Sequence, residues 1–480
     1  MAGPIMSDAV PEVAFPPKLL ADLRRAAAQI VSARRITVIT HIDADGITSG
    51  AIASETLSRL GKEFTVHFEK KITDEVIERV NSDDADLVWI CDLGSAYMSQ
   101  FTRIGLVVTD HHVPDSNWRT GQSLLSAFGC SHQLNPHLYG VDGSYEVCGA
   151  GMTYLLSKTI DPRNQDLAYI AVIGAIGDLQ DLQNSRLVSW NRLILDDAVE
   201  AGDVEVSFGL RYFGRGTRPL VQFLQYGEPA IPGITGDMNV CLALLESFGI
   251  SAVDSNGRKR YWCDLEESER MVVTDELVTN AGSDADRETL LGEVYTITRY
   301  PVRSGLGDAK EFATTLNSCG RYGDDATGPR IRRGGRSALK DAENKRRDHR
   351  RNISSALNYV KENSLLMRGS HVQYFIDGSA IKETVVGIVA NMLLNSEDVD
   401  PDMPIIAFAE ADDGIKVSAR ASKRLIDRGL DLSRIMTEAA ASVGGLGGGH
   451  SVAAGATIPE GKEMVFLDRV EALVKDCLSP

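Results

Sequence analysis

The chain has 480 residues and lacks the patterns that mark several common protein classes. Its seven cysteines are scattered without a C-x-x-C pair, and the N-terminal segment shows no signal-peptide pattern, which together indicate reduced intracellular thiols. The longest apolar run, near Ile170–Ile176, is far shorter than the roughly 20 residues needed to cross a bilayer. We therefore expect a cytoplasmic protein that does not associate with membranes.

A P-loop, a glycine-rich dinucleotide fingerprint and a repeat of fixed period are also missing. The chain is acidic overall, because it has 50 Lys and Arg residues and 67 Asp and Glu residues, which give a net charge of -17. This balance argues against non-specific coating of nucleic acid by the whole surface, although it leaves room for a local basic site.

Hydrophobic patterning predicts an α/β protein. Short apolar runs alternate with helical patterns in the N-terminal region, which indicates a parallel sheet covered on both faces. The predicted strands there are 36–40, 87–91 and 104–109, and the predicted helices are 18–35, 47–60 and 73–81. A second, smaller α/β pattern has predicted strands 372–376, 405–408 and 415–418 and a helix near 383–395. We expect domains at 1–204 and 346–480, separated by an inserted or linking domain at 205–345.

Acidic and histidine residues follow each of the first three predicted strands. In parallel sheets, ligands bind outside the carboxyl ends of the strands, so these side chains are expected to share one cleft. Asp43 and Asp45 are two residues apart, and in extended backbone both carboxylates would point the same way. Asp178, at the end of an apolar run containing glycine, could join them. The candidate residues are His41, Asp43, Asp45, Asp92, Asp110, His111, His112 and Asp178.

The donor types in this set favour particular metals. Carboxylates with one or two imidazoles and no thiolate favour manganese or magnesium over structural zinc. Two such ions about 3.5–4 Å apart would suit in-line attack on a phosphodiester. The alternatives to a metal site are purely structural roles. Asp43–Asp45 could be a turn or helix cap, His111–His112 a surface loop, and Asp178 a helix end.

These motifs resemble the four motifs of DHH-superfamily phosphoesterases. The matching stretches are 41–46, Asp92, 110–112 and 174–178. Ser418-Ala-Arg420 and residues 447–455 resemble the DHH-associated substrate domain, and residues 311–321 resemble a segment of RecJ-like nucleases. The pattern is most similar to the archaeal RecJ-like branch, which includes the GINS-associated nuclease and is related to a DHH-like subunit of the eukaryotic replicative helicase.

The resemblance implies roles for individual residues. Asp43 and His41 would hold one metal, while Asp45, His111 and Asp178 would hold the other. Asp92 would bridge the two ions. His112, with Asp110, would act in catalysis, and His112 would contact the scissile phosphate. Every expected ligand is present, which speaks against a pseudoenzyme.

A second group of residues is expected to grip the substrate. Arg420, close to Ser418 at a strand end, is a candidate for bidentate phosphate contact, with a surface salt bridge as the alternative. Gly448 and Gly449 precede His450 in a glycine-rich loop whose backbone N–H groups could approach an anion, unless the loop is only flexible. The resemblance adds Asn317 and Arg321 as weaker candidates.

The segment Arg330–Arg351 reverses the overall charge, with ten Lys or Arg against three acidic residues. It could follow the backbone of a single strand electrostatically, or it could be a solvated helix face or a linker. Few aromatic residues interrupt it, so base stacking is not indicated.

Together these features predict a manganese- or magnesium-dependent exonuclease that releases mononucleotides from single-stranded DNA, with RNA as an alternative substrate. The resemblance implies 5′→3′ polarity on DNA and work in replication or repair, with a GINS-type complex or an RNase as protein partner. The alternatives are a phosphodiesterase for small oligonucleotides or cyclic dinucleotides, and a non-catalytic scaffold in a replication or RNA-processing assembly.

Overall fold

The structure, a computed structural model, describes residues 14–115, 131–321, 336–394, 396, 399–411, 413–449 and 451–478. The chain divides into two compact units, Met1–Lys345 and Arg346–Pro480. Within the described ranges, no helix combines the length and the apolar character needed to cross a membrane.

The first unit is built on a five-stranded parallel sheet with strand order β2-β1-β3-β4-β5. Its strands are β1 Arg35–His41, β2 Glu63–Glu69, β3 Leu87–Cys91, β4 Leu106–Thr109 and β5 Ser131–Leu134. The helices around it are α1 Pro17–Ser32, α2 Ala44–Arg59, α3 Asp74–Ser82, α4 Gly149–Ile160, α5 Ala168–Gly177 and α6 Ser189–Glu200.

Both faces of this sheet are buried. Val38, Trp89 and Val107 point into a core shared with α1, α2, α4 and α5. Ile90 and Val108 point into a second core against α3. The prediction of a parallel sheet covered on both faces is therefore confirmed, because successive residues of a strand face opposite sides and both sides are apolar.

An insertion interrupts the first unit between two paired strands. β6 Val204–Leu210 and β7 Leu291–Ile297 form an antiparallel ribbon. The helices between them are α7 Leu220–Gln225, α8 Met238–Ser247, α9 Glu267–Thr279 and α10 Asp284–Leu290. They surround their own core, in which Phe223 stacks on Trp262. After β7, helix α11 Ala309–Arg321 returns to pack against α5 and α2.

The second unit contains a six-stranded sheet of order β12-β13-β11-β10-β9-β8, in which only the β9–β10 pair is parallel. Its strands are β8 Met367–Arg368, β9 Gln373–Asp377, β10 Ile405–Ala411, β11 Gly414–Arg420, β12 Leu446–Gly449 and β13 Ala453–Ile458. Its helices are α13 Glu383–Leu394, α14 Lys423–Asp427, α15 Leu432–Ser442 and α16 Glu463–Leu478, preceded by the long helix α12 Arg336–Glu362 that leads in from the first unit.

The prediction of a loop at the glycine-rich segment is wrong for four of its residues. Leu446–Gly449 is an edge strand that pairs antiparallel with β13. Glycine weakens a strand only through entropy and lost packing, so neighbouring ladder hydrogen bonds can override its low propensity.

Candidate metal centre

The candidate residues meet at the carboxyl edge of the parallel sheet. β1 leads into His41 and Asp43, β3 leads into Asp92, and β4 leads into Asp110 and the two histidines that follow it. Because the three strands are neighbours in the order β1-β3-β4, their ends lie side by side. This is the position at which ligands bind to open α/β sheets.

The expectation that Asp43 and Asp45 share one extended segment is wrong. Asp43 is the N-cap of α2, and its Oδ1 accepts a 2.9 Å hydrogen bond from Gly46 N. Asp45 lies in the first helical turn, so the two carboxylates point into different parts of the site. The alternative reading of Asp43 as a helix cap is therefore correct, and the cap also places Asp43 beside His41.

Asp92 lies at the centre of the cluster. Its Oδ2 is 3.5 Å from His41 Nδ1, which is itself 2.9 Å from Asp43 Oδ2. Its Oδ1 is 3.3 Å from His111 Nε2. The carboxylate is fully buried, yet among the described residues neither oxygen finds a hydrogen-bond partner of good geometry. Asp92 also has φ of 58°, in the left-handed region where backbone strain often marks a functional site.

A second group gathers on the Oδ1 side of Asp92. His111 Nε2 lies 3.1 Å from Asp178 Oδ2 and 3.7 Å from Asp45 Oδ2. Asp178 caps the C-terminal end of α5, so the expectation of a helix-end residue is also correct. Asp45 accepts hydrogen bonds from Gly149 N at 2.7 Å and Ala150 N at 2.9 Å. The N-terminus of α4 thus orients this carboxylate and favours its charge.

The crowding of charge shifts the pKa values of three carboxyl groups at the centre. Burial and the neighbouring Asp92 and Asp178 hold the pKa of Asp45 well above its usual range. Burial, opposed by His111 but reinforced by Asp43, raises the pKa of Asp178 to about 7. Burial alone would raise the pKa of Asp92, but the imidazoles of His111 and His41 lower it. Perturbation of this kind is typical of functional sites.

The pKa values of His41 and His111 are affected in the opposite sense by the same surroundings. Burial alone would lower the pKa values of His41 and His111, but neighbouring carboxylates raise both, through Asp43 and Asp92 for His41 and through Asp178 and Asp92 for His111. Without a metal, protonated imidazoles therefore balance part of the carboxylate charge. Cation binding would displace those protons.

Asp110 and His112 form a separate pair beside the centre. Asp110 is buried, and its oxygens accept from Ser95 N at 2.8 Å, His111 N at 2.7 Å and His112 Nδ1 at 2.8 Å. With both oxygens engaged, Asp110 serves to position the two histidines. His112 is 54% exposed, and despite its partial burial Asp110 raises its pKa to about 9. At neutral pH, His112 is therefore a protonated donor at the rim of the site.

Sequence reasoning missed several residues that support the centre. Asn135, fully buried, donates from Nδ2 to Ser95 Oγ and to His112 O, both at 2.8 Å, and so ties the strand ends together. Gly149 is needed because a Cβ there would lie 2.6 Å from Asp92 Oδ1. A Cβ at Gly174 would lie 2.6 Å from Asp45 Oδ1. The Asn-Pro pair at 135–136 after a short strand was an available signal, whereas the glycine contacts depend on tertiary packing.

The residues predicted to bind substrate are divided between the units. Asn317, on α11, accepts a 2.7 Å hydrogen bond from Ala44 N and so supports the start of α2 next to Asp43. Ser418 and Arg420 lie on β11 in the second unit, beside Gly387 of α13. Arg321 ends α11, but its side chain is outside the described part of the chain, as is His450.

The charged segment 330–351 is described only in part. Residues 330–335 lie outside the described ranges, and residues from 336 onwards belong to α12. The helix is consistent with either of the two readings of this segment.

The residues at the sheet edge fit a pair of divalent cations. His41, Asp43 and Asp92 offer ligand atoms within 4.8 Å of one another, and so do Asp45, His111 and Asp178. Oxygen donors with imidazole and no thiolate suit manganese or magnesium. Asp92 presents one oxygen to each group, and within the described part of the chain neither oxygen has a hydrogen bond of good geometry, so this carboxylate could serve both groups.

Comparison with protein families gives three consecutive matches. Residues 35–175 match the DHH family N-terminal domain, residues 212–288 match the DHH-CID domain, and residues 370–476 match the DHHA1 domain. The chain belongs to the DHH superfamily. Its order of domains is RecJ-like, and the family identified from the motifs is confirmed, as are the α/β fold class, the middle insertion and the C-terminal domain.

Individual relatives support this assignment. The chain is 29% identical over 451 residues to an uncharacterized protein of Methanocaldococcus jannaschii, covering 92% of this chain and 94% of that protein. It is 28% identical over 211 residues to the single-stranded-DNA-specific exonuclease RecJ of Thermus thermophilus, covering 40% of this chain. That stretch is only 29% of the RecJ sequence.

Solved structures show the same fold. The manganese complex of Thermus thermophilus RecJ has a TM-score of 0.58 and 19% identity, covering 97% of this chain and 56% of that chain. CDC45 from Entamoeba histolytica has a TM-score of 0.63 and 12% identity, covering 95% of this chain and 98% of that chain. This DHH-superfamily chain thus spans little more than half of the RecJ structure but nearly all of CDC45.

Proposed function

We propose that this protein is a two-metal phosphodiesterase that degrades single-stranded nucleic acid from an end. Its preferred substrate is single-stranded DNA, cut 5′→3′ to mononucleotides in replication or repair, with RNA as an alternative substrate. Manganese is the preferred ion and magnesium the second choice.

The position of Asp92 carries this proposal. A buried carboxylate without hydrogen bonds is costly unless cations compensate it. Asp92 presents Oδ2 to the group of His41 and Asp43, and Oδ1 to the group of Asp45, His111 and Asp178. One buried ligand between two sets of donors is the arrangement of a two-metal hydrolytic centre.

The side chains around this centre have distinct tasks. Two bound cations would neutralise phosphate charge and activate water at neutral pH. His112, protonated and held by Asp110, can donate a hydrogen bond to an oxygen of the scissile phosphate. The N-terminus of α4 fixes Asp45, and Asn317 fixes the start of α2, so the ligands need little rearrangement when a substrate arrives.

The second unit would hold phosphates that are not being cut. Ser418 on β11 pairs with Gly455 on β13, which in turn pairs with Gly448 on β12. A Cβ at Gly448 would meet no atom of the described residues within 4 Å, so the edge strand β12 has open space beside it. We propose that a phosphodiester backbone contacts this part of the sheet, while His450, Arg321 and Arg330–Arg351 remain candidates from the sequence alone.

The relatives support the choice of substrate and ions. RecJ is named for its specificity for single-stranded DNA, and its structures contain manganese or magnesium. The resemblance to the GINS-associated nuclease favours a GINS-type replication complex over an RNase as partner.

A product-length time course tests this proposal. Strands of about 20 nucleotides, DNA and RNA, carry a label at either the 5′ or the 3′ end and are incubated with manganese, magnesium or a chelator. We expect mononucleotides to appear from 5′-labelled DNA in manganese before the strand shortens visibly, and no product with the chelator. Release from the 3′ end would reverse the proposed polarity.

The same assay separates the alternative functions. Faster turnover of a dinucleotide than of the long strand would favour the small-oligonucleotide phosphodiesterase. Intact strands under all conditions would favour the scaffold and exclude the proposed activity.

A further inference from the structure

The ligand His111 is oriented by groups behind it. Its Nδ1 lies 2.7 Å from Gly143 O, while its Nε2 faces Asp45, Asp92 and Asp178. A backbone carbonyl can only accept a hydrogen bond, so Nδ1 must carry the proton in this contact. Whenever the ring is neutral, Nε2 is therefore the nitrogen with the free lone pair, which is the one required for a metal.

The carbonyl of Gly143 also accepts a hydrogen bond from the first of two buried side chains that are hydrogen-bonded to each other. Gln180 Nε2 donates to Gly143 O at 2.8 Å, and Asn191 Nδ2 donates to Gln180 Oε1 at 2.6 Å. Gln180 and Asn191 are only 1% and 2% exposed, so solvent cannot replace these bonds. Because Gly143 O can only accept a hydrogen bond, it fixes the orientation of both amide groups. Reversing either amide would place two oxygen atoms at hydrogen-bonding distance with no proton between them.

Backbone contacts leave Gly143 little freedom. A Cβ at position 143 would lie 2.0 Å from His111 O, so the two backbones touch and only glycine fits. Asn191 N also donates to Glu146 O at 2.9 Å, which ties the loop after Gly143 to α6. The loop, Gln180 and Asn191 thus form one connected support on the side of His111 away from the carboxylates.

We propose that Gly143, Gln180 and Asn191 form a positioning relay that holds His111 with Nδ1 protonated and Nε2 turned to the metal ligands. The relay touches neither substrate nor metal and acts through His111. It rests on the proposed function, since a metal must bind at His111 for the orientation to matter. Partners that orient ligating histidines in this way typically contribute about 10–100-fold in metal affinity.

Manganese affinity of the full chain, measured by titration calorimetry, tests the relay. Gln180→Met and Asn191→Leu replace each amide with an apolar side chain of similar shape. Gln373→Met is the matched control, because Gln373 is a buried glutamine of the second unit that donates to Asp400 O and Met403 O. We expect the first two variants to bind manganese about tenfold or more weakly and the control to bind normally.

Outcomes for the relay and for the metal centre can be told apart. If wild-type protein does not bind manganese, the proposed function fails. If wild-type binds but Gln180→Met and Asn191→Leu stay within twofold of it, the relay is refuted. A drop equal to that of Gln373→Met would also refute it, since it would reflect general loss of stability.

A spectroscopic measurement on the wild-type chain covers the case in which these variants do not fold. The protein is labelled with ¹⁵N-histidine and saturated with magnesium, and His111 is assigned by the loss of its signal in His111→Asn. We expect a protonated Nδ1 and an unprotonated Nε2. A protonated Nε2 with a bare Nδ1 would overturn the proposal.

Discussion

Two buried aspartates of the first unit differ in how their charge is compensated. Asp181 and Asp92 are both fully buried. Asp181 accepts a hydrogen bond from Arg211 Nη2, and Lys310 Nζ lies 3.6 Å from it. Within the described part of the chain, Asp92 instead faces the imidazoles of His41, His111 and His112, which can be neutral, and it is surrounded by other carboxylates.

The difference separates a structural charge from a functional one. The guanidinium of Arg211 is always charged, so it compensates the buried carboxylate of Asp181 in every state of the protein. This ion pair joins the loop after Asp178 to the start of the insertion. At Asp92, only protons on the neighbouring imidazoles or bound metal ions can compensate the negative charge. The net charge of this cluster therefore depends on whether protons or metal ions are bound. The same residue type at the same burial therefore serves two purposes.

The largest expected effect is on activity at Asp92. Asp92→Asn should lower phosphodiester cleavage by more than about 10³-fold, because the substitution removes the ligand shared by both donor groups. Initial rates on labelled single strands in saturating manganese measure it. Asp84→Asn is the control, since the Asp84 side chain is 88% exposed and outside the centre. Turnover near the wild-type rate would rule out a bridging role.

At Asp181, replacement by asparagine should lower the stability of the fold. Asp181→Asn leaves Arg211 buried without its carboxylate and should lower the free energy of unfolding by about 3 kcal/mol. Metal-free Asp92→Asn should lower it by less than this, because three carboxylates remain to pair with His41 and His111. Urea unfolding in chelator compares the two variants. Equal losses would remove the contrast between a structural and a functional charge.

A smaller effect is expected at the proposed phosphate grip of the second unit. Arg420→Ala should weaken binding of single-stranded DNA about tenfold, the value of one charge-assisted contact, and leave thermal stability nearly unchanged. Arg368→Ala is the control, because Arg368 is 65% exposed and pairs with Asp400 on the same domain. A fall in melting temperature with unchanged binding would mean that Arg420 makes only a structural salt bridge.

A further effect is expected on the pH dependence of stability in the metal-free protein. The pKa of Asp178 is raised to about 7, so its ionisation opposes folding, and the stability present below about pH 4 is lost as pH rises towards 7. Asp178→Asn lacks this loss, so it should gain stability relative to wild-type across that window. Unfolding at several pH values in chelator measures the difference. A constant difference would contradict the crowding of carboxylates described above.

The sequence allowed the prediction of the centre better than the prediction of its surroundings. His41, Asp92 and His111 follow apolar runs that form neighbouring strands, so local pattern and sheet topology were enough to bring them together. Strand β2 was not predicted, although Phe64, Val66 and Phe68 alternate with polar residues in the way a strand requires.

Other features could not be predicted for physical reasons. Asp43 and Asp45 point to different donor groups because α2 begins between them, and helix boundaries are poorly specified by local sequence. Gln180 and Asn191 act through contacts between distant segments, which leave no periodic signal. The role of Arg420 and the limits of the three domains remain predictions.

In the proposed centre, Asp92 lies between two metal ions. Crystals of the full chain soaked in manganese, with data collected at the manganese absorption edge, would locate those ions. We predict two anomalous peaks per chain, one beside His41 and Asp43 and one beside His111 and Asp178, and neither at full strength in Asp92→Asn. A single peak, or peaks away from Asp92, would contradict the two-metal centre.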